Sequence, residues 1–442
     1  MRYLLLLLYL NAGWLTAQTT FTDITDTAGL NHQFRVLEGM FGGGACVLDF
    51  NGDGFEDVYV TGGTNDDQLL RNNGDGTLTD VYVGSGLELT RHFVTQGVSG
   101  ADVNRDGHID LFVTTITARD SARTIPRARN LLFLANGDGT FKDATDAWGL
   151  TDLYSFSTGG HFGDFNADGW PDLFVGNYFI EYEGKLNVIS DATIVGANQT
   201  AHDYLLLNDE GKGFIDVSKE YGVDHRGFGF GGVFTDYDND GDQDLIVNND
   251  FGYKAIPSLM YRNNYPQKSF TDVSEDLELD LKINAMGAAG GDYNADGQLD
   301  YYMTNIRFNR FMVGQGIGKP YVNLTKPLGM NFLTISWVAN FADYDHDGDL
   351  DLYVSNGDLN PNCVPMANFY FDNVGGKFRD AGKSNGGGDY GIGRGSVAFD
   401  LENDGDLDLL EVCQEAVLPN YPVESVTRLF RNAGATGKWL KV

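Results

Sequence analysis

The sequence predicts an all-β fold, a seven-bladed propeller, on three observations. A nine-residue acidic segment recurs seven times, a second short landmark also recurs seven times, and the distance from landmark to segment is nearly constant. Self-similarity at a fixed period is the mark of a repeat architecture and outranks local secondary-structure signals. The acidic segments follow D-x-[NDE]-x-D-G-x-x-D: DFNGDGFED from Asp49, DVNRDGHID from Asp102, DFNADGWPD from Asp164, DYDNDGDQD from Asp236, DYNADGQLD from Asp292, DYDHDGDLD from Asp343 and DLENDGDLD from Asp400. Their starts lie 53, 62, 72, 56, 51 and 57 residues apart. The second landmark, related to F-x-D-[VI]-T, begins at Phe21, Leu78, Phe141, Phe214, Phe270, Tyr321 and Phe378.

From landmark to acidic segment the chain runs 28, 24, 23, 22, 22, 22 and 22 residues, whereas from segment to next landmark it runs 29, 39, 50, 34, 29 and 35. One half of each repeat is fixed and the other accepts insertions. A repeat reads as a Gly-rich apolar strand such as GGGACVLDF, the acidic loop, a strand such as DVYVTGG, a strand such as QLLRN, the turn NNGDG and the strand TLTDVYV. Four short strands bounded by Gly, Asn and Asp turns make one antiparallel blade, and radial repetition protects the sheet edges. The chain begins with a landmark strand at Phe21 and ends after the last loop with RLFRNAGATGKWLKV, so the repeat is cut in mid-blade. FTDIT and WLKV both compete for the outer seat of the last blade.

The first residues, MRYLLLLLYLNAGWLTAQ, carry Arg2, an apolar run from Leu4 to Leu10 and the small Ala17. They read as a secretory signal peptide over 1–17, since the run is shorter than a bilayer span, with the propeller occupying 18–442. No later stretch reaches the roughly 18 apolar residues of a membrane helix, so no membrane insertion is expected. A secreted, periplasmic or cell-surface monomer is the expectation. The formal charge is −33 from 30 basic and 63 acidic residues, which would repel nucleic acid and anionic lipid. With 42% hydrophobic residues and 29 Phe plus 22 Tyr, the chain has the material for a folded core. Three cysteines are too few for a disulfide framework: Cys46 reads as a small core residue, while Cys363 and Cys413 could pair.

Oxygen side chains at positions 1, 3, 5 and 9 of each acidic segment, with Gly at 6 and a carbonyl at 7, suit a hard cation that takes six to eight oxygens. The expected ligands are Asp49, Asn51, Asp53 and Asp57; Asp102, Asn104, Asp106 and Asp110; Asp164, Asn166, Asp168 and Asp172; Asp236, Asp238, Asp240 and Asp244; Asp292, Asn294, Asp296 and Asp300; Asp343, Asp345, Asp347 and Asp351; Asp400, Glu402, Asp404 and Asp408. Calcium, up to seven ions, is the cofactor expected. Magnesium prefers a rigid octahedron and keeps its waters. The 12-residue EF-hand reading fails, because position 12 holds Val60, Val113, Val175, Val247, Met303, Val354 and Glu411, of which Glu411 alone is acidic. The alternative is a set of metal-free Asx turns, against which stands the mutual repulsion of the 24 carboxylates among these positions.

These loops, the F-x-D-[VI]-T landmarks, and LLRNNGDGTLTDV and LLFLANGDGTFKDAT together resemble the FG-GAP or VCBS-type repeats of the cartilage acidic protein 1 family. The resemblance covers about residues 21 to 442. It implies a calcium-loaded seven-bladed propeller in an exported protein, with the metal positions named above. Members usually continue into an ASPIC/UnbV domain that opens with a segment similar to NAGATGKWLKV.

Insertions fall at the end of the blades opposite the acidic loops, and variable loops on a rigid scaffold are where binding usually resides. The longest, from Asn177 to Asp203, carries Tyr178, Tyr182 and His202; another holds Arg119, Arg123, Arg127 and Arg129. Guanidinium forks suit a carboxylate partner such as a uronic acid, while a solvated loop balancing local charge is the simpler role. Sequons stand at Asn198 and Asn323. No Ser-His-Asp or HExxH pattern occurs, and Asp224, His225 and Arg226 form a polar cluster that reads as a link or a channel mouth. The expected function is an extracellular binding or adhesion scaffold for a protein or polysaccharide; the alternative is a calcium-dependent polysaccharide lyase or hydrolase.

Overall fold

In a computed structural model, which describes residues 19–37, 42–119, 128–179, 200–358, 364–417 and 420–433, the chain forms seven antiparallel blades. Residues 1–17, read from the sequence as a signal peptide, and Arg123, Arg127, Tyr182, Asn198, Cys363 and WLKV lie outside the described residues. Blade 1 runs from the inner strand Ala45–Leu48 through Asp57–Val60 and Gln68–Asn72 to the outer strand Leu78–Asp80. The next five repeat that order, with inner strands Phe93–Ala101, Tyr154–Gly163, Gly229–Thr235, Ala288–Gly291 and Thr334–Ala342. Blade 7 takes Gly393–Phe399, Asp408–Cys413 and Arg428–Asn432 from the end of the chain and Phe21–Asp23 from its beginning. FTDIT therefore holds the outer seat, in the register Phe21 to Asn432 and Asp23 to Phe430.

The landmark residues have a local reason. In every blade the oxygen of the third landmark residue accepts the backbone N–H two residues on: Asp23 from Thr25, Asp80 from Tyr82, Asp143 from Thr145, Asp216 from Ser218, Asp272 from Ser274, Asn323 from Thr325 and Asp380 from Gly382, at 2.9–3.2 Å. These Asx turns end the outer strand and satisfy a donor that would otherwise be orphaned. Asn323, exposed on blade 5, does the work of the six aspartates.

Apolar cores lie between neighbouring blades, as where Val58, Val60 and Leu70 of blade 1 meet Leu410, Val412 and Leu429 of blade 7. The inner strands enclose a central cavity of about 380 Å3, lined by Gly44, Gly97, Gly159, Gly231, Gly287 and Gly395 among others. Glycine is required by close approach: a Cβ on Gly44 would stand 2.8 Å from Gly97 Cα, and one on Gly176 2.6 Å from Gly231 N. At the end of the channel away from the acidic loops, Val94, Ile116, Phe156, Tyr178, Phe179, Phe228, Phe251, Met286 and Trp337 form one shared apolar cluster. Tyr178, read from sequence as part of an insertion, belongs to this core. No helix among the described residues is long and apolar enough to cross a membrane.

Candidate metal centres on one face

Each acidic loop joins the inner strand of its blade to the second strand, which places all seven on one face of the ring. Their backbone paths are alike. The Asp at position 1 accepts the N–H of position 5 on Oδ1, at 2.9–3.2 Å. Its Oδ2 accepts the N–H of the Gly at position 6, at 2.7–3.1 Å. The position-6 glycines Gly54, Gly107, Gly169, Gly241, Gly297, Gly348 and Gly405 all have φ between 84° and 94°. That conformation penalises any Cβ and explains the invariant glycine of the repeat. Position 4 is also left-handed, and only loop 1 places glycine there; Arg105, Ala167, Asn239, Ala295, His346 and Asn403 hold φ of 55–58° without it.

The Asp at position 9 opens the second strand and is fully buried in every blade: Asp57, Asp110, Asp172, Asp244, Asp300, Asp351 and Asp408. One oxygen accepts the N–H at the end of the third strand, from Asn72, Ala135, Asn208, Asn263, Gly314, Asn373 and Asn432 respectively, at 2.7–2.9 Å. In loops 1, 2, 4, 5 and 7 the other oxygen accepts the N–H of position 2. Position 9 thus fastens the loop to the blade. Burial pushes these carboxyls up to about 7 or 8, with backbone donors pulling the other way.

A further set of residues went unread in the sequence, although QLLRN, YLLLN, LMYRN, FYFDN and RLFRN all end in the same residue. The amides of Asn72, Asn208, Asn263, Asn373 and Asn432 reach across the blade boundary to the position-2 carbonyl of the preceding blade: Leu401, Val103, Phe165, Tyr293 and Tyr344, at 2.7–2.9 Å. They are clasps between blades. Blade 2 has Ala135 and blade 5 Gly314 at this place.

The donor set is hard oxygen throughout, the chemistry calcium takes. In two loops three carboxylate oxygens, from Asp236, Asp238 and Asp244 and from Asp343, Asp345 and Asp347, lie within 4.8 Å of one another. Ligand oxygens at 2.3–2.6 Å from one ion can be no more than about 5 Å apart, so these clusters fit a calcium ion. Position 12 is not part of the loops: Glu411 is fully buried, and its Oε2 accepts a bond from Ser355 Oγ of blade 6 at 2.7 Å.

Other singled-out groups have structural partners. Arg119 pairs with Asp66 at 3.0 Å and Arg129 with Asp146. His225 Nδ1 meets Tyr261 OH, Arg226 Nη2 donates to Thr200 O at 2.7 Å, and neither residue lines the central cavity. Cys46 is half-buried and its thiol is pushed up to about 12 by burial. Cys413 ends its strand with Sγ 3.8 Å from Asp389 Oδ2.

A family model for FG-GAP-like repeats matches residues 49–113, 102–175 and 236–303. Cartilage acidic protein 1 of Xenopus tropicalis is 21% identical over 280 residues, covering 59% of this chain and 38% of that protein. The Homo sapiens protein of the same name is 24% identical over 272 residues, covering 50% and 39%. The chain thus matches under two-fifths of the length of these curated relatives. Among solved structures, BBS1N in complex with ARL6DN aligns with TM-score 0.49 at 8% identity, over 95% of this chain and 99% of that one. The V. cholerae biofilm matrix protein Bap1 aligns with TM-score 0.43 at 10% identity, over 95% and 92%. The chain is a seven-bladed propeller whose residues 49–113, 102–175 and 236–303 are similar to FG-GAP-like repeats, and it is similar over part of its length to cartilage acidic protein 1.

Proposed function

We propose that the protein is an exported calcium-binding propeller that acts as an extracellular scaffold, holding a protein or polysaccharide partner. The observation that carries the reading is the division of labour between the two faces. Seven acidic loops of one backbone geometry occupy one face, and the long insertions, between Ala118 and Ala128 and between Phe179 and Ala201, leave from the other ends of the second strands. Calcium would stiffen the first face by replacing carboxylate repulsion with attraction; the second would present variable segments on a fixed frame. The similarity to cartilage acidic protein 1 supports a scaffold.

The test is retention of the purified chain on immobilised acidic polysaccharides and on candidate surface proteins, in calcium and in chelator, with the eluate assayed for shortened glycan. Calcium-dependent retention without turnover is the expected result. Release of unsaturated or hydrolysed fragments would instead establish the enzymatic alternative.

A further inference from the structure

Position 3 divides the seven loops into three kinds. In loops 1, 2, 3 and 5 it is an asparagine whose Nδ2 donates to Oδ2 of the position-5 aspartate: Asn51 to Asp53, Asn104 to Asp106, Asn166 to Asp168 and Asn294 to Asp296, at 2.8–3.1 Å. An amide proton there partly offsets the carboxylate charge from within the loop. In loop 7 position 3 is Glu402, which lies 3.6 Å from the Arg431 guanidinium, so a cation of the protein sits beside it. In loops 4 and 6 position 3 is Asp238 and Asp345, which have neither device.

In neither loop does the position-3 carboxylate form an ion pair among the described residues. Asp238 Oδ1 is buried with no hydrogen-bond partner, and Arg262, whose charge acts favourably on it, forms no ion pair with it. Asp345 is only 3% exposed, yet its one bond is from the N–H of Asp347 to Oδ1 at 3.2 Å, with Asp343, Asp347 and Asp372 adding negative charge around it. A carboxylate removed from water among other carboxylates needs a counter-charge. These are also the two loops whose carboxylate oxygens converge within 4.8 Å.

We propose that the calcium sites are unequal: loops 4 and 6, through Asp238 and Asp345, form two tight sites, and the four asparagine loops and the Glu402 loop load later and more weakly. The proposal rests on the calcium reading above and deepens it. Its placement has a consequence, because loops 4 and 6 flank blade 5, where Gly314 replaces the clasping asparagine. Across that boundary Thr235 Oγ1 meets Tyr301 OH at 2.7 Å, and Asn239, at position 4 of loop 4, donates from Nδ2 to Gly297 O of loop 5 at 3.0 Å. A cation in loop 4 holds the backbone that presents Asn239, and so braces one of the two boundaries that lack the clasping asparagine.

The experiment is calorimetric titration of the calcium-stripped full chain with CaCl2, alongside Asp238→Asn, Asp345→Asn and Asn166→Asp, with circular dichroism confirming that each variant is folded. The expected result is a tight phase of two ions, one in each Asp→Asn variant and three in Asn166→Asp, separated from the weaker phase by at least about tenfold in Kd, as ligand charge sets affinity in calcium loops. One class of equal sites, unchanged in number by the substitutions, overturns the ranking and leaves calcium binding intact. Absence of binding, with the same melt in calcium and chelator, overturns both. Should either Asp→Asn variant fail to fold, the third tight ion expected in Asn166→Asp decides alone.

Discussion

Glu411 occupies a place that is Val60, Val113, Val175, Val247, Met303 and Val354 in the other six blades. Sequence singled it out as the one acid at the twelfth loop position, and its chemistry was legible but its direction was not. The strand that carries it points the side chain into the boundary with blade 6, where Ser355 Oγ donates to Oε2 and Oε1 has no partner. Facing it are Tyr353 and Asp389, with Cys413 two residues on. Burial raises the carboxyl far above the usual range, with the Asp389 charge adding to it. A carboxyl whose folded pKa is raised stabilises fully below its unfolded value near 4.5, and that contribution is lost as pH rises toward the folded value. Glu411→Gln keeps the shape and removes the ionisation. Its melting temperature should match the parent near pH 4 and exceed it at pH 8; parallel melting curves across that range would show that Glu411 does not ionise on unfolding.

At the scale of the blade, the parts written as near-identical strings were readable. The acidic loops, the Asx turn of the landmark and the four-strand order all follow from turn chemistry repeated seven times, and the structure places them as that chemistry demands. What could not be read was any bond between elements distant in sequence. Asn208 follows Asp172 by 36 residues and reaches Val103 O, 105 residues back. The same asparagine follows its aspartate by 15 residues in blade 1, so the variable insertion between second and third strands hides the register. Position 9 suffers likewise, since D-x-D-x-D-G-x-x-D offers it as one more oxygen ligand without revealing that it pins the third strand. The clasp is testable in isolation because Asn208 lies outside the loop. Asn208→Ala leaves Val103 O and Pro171 O without their side-chain donor in a buried setting, and should lower stability by about 1–3 kcal/mol. Urea unfolding measures it; an Ala variant as stable as the parent would reduce the clasp to a packing coincidence.

For the whole molecule, the decisive contact is the one that closes the ring. Seven loops declared seven blades, but two segments could have taken the last seat, because each reads in the sequence as a short strand with an aromatic or bulky apolar residue. The answer lies in packing: Phe21 is 5.9 Å from Tyr344 and 5.6 Å from Tyr370, edge to face with both. Thr19 Oγ1 lies 2.8 Å from Tyr370 OH, Ala433 N donates to Thr20 O at 2.9 Å, and Ile24 N donates to Leu429 O at 2.9 Å. Blade 6 and blade 7 therefore both hold the first strand, and the beginning and end of the chain become one element. Removing residues through Asp23 strips blade 7 of its outer strand, exposes the edge of Arg428–Asn432 and opens the aromatic site on Tyr344 and Tyr370. An unpaired edge of this kind recruits another strand. The truncated chain should melt well below the parent and associate in size-exclusion chromatography, and a synthetic peptide of residues 18–31 added in excess should restore both the melt and the monomer. Truncation without loss of stability would mean that six intact blades and three strands hold the ring by themselves, and that closure by the first strand contributes order but not cohesion.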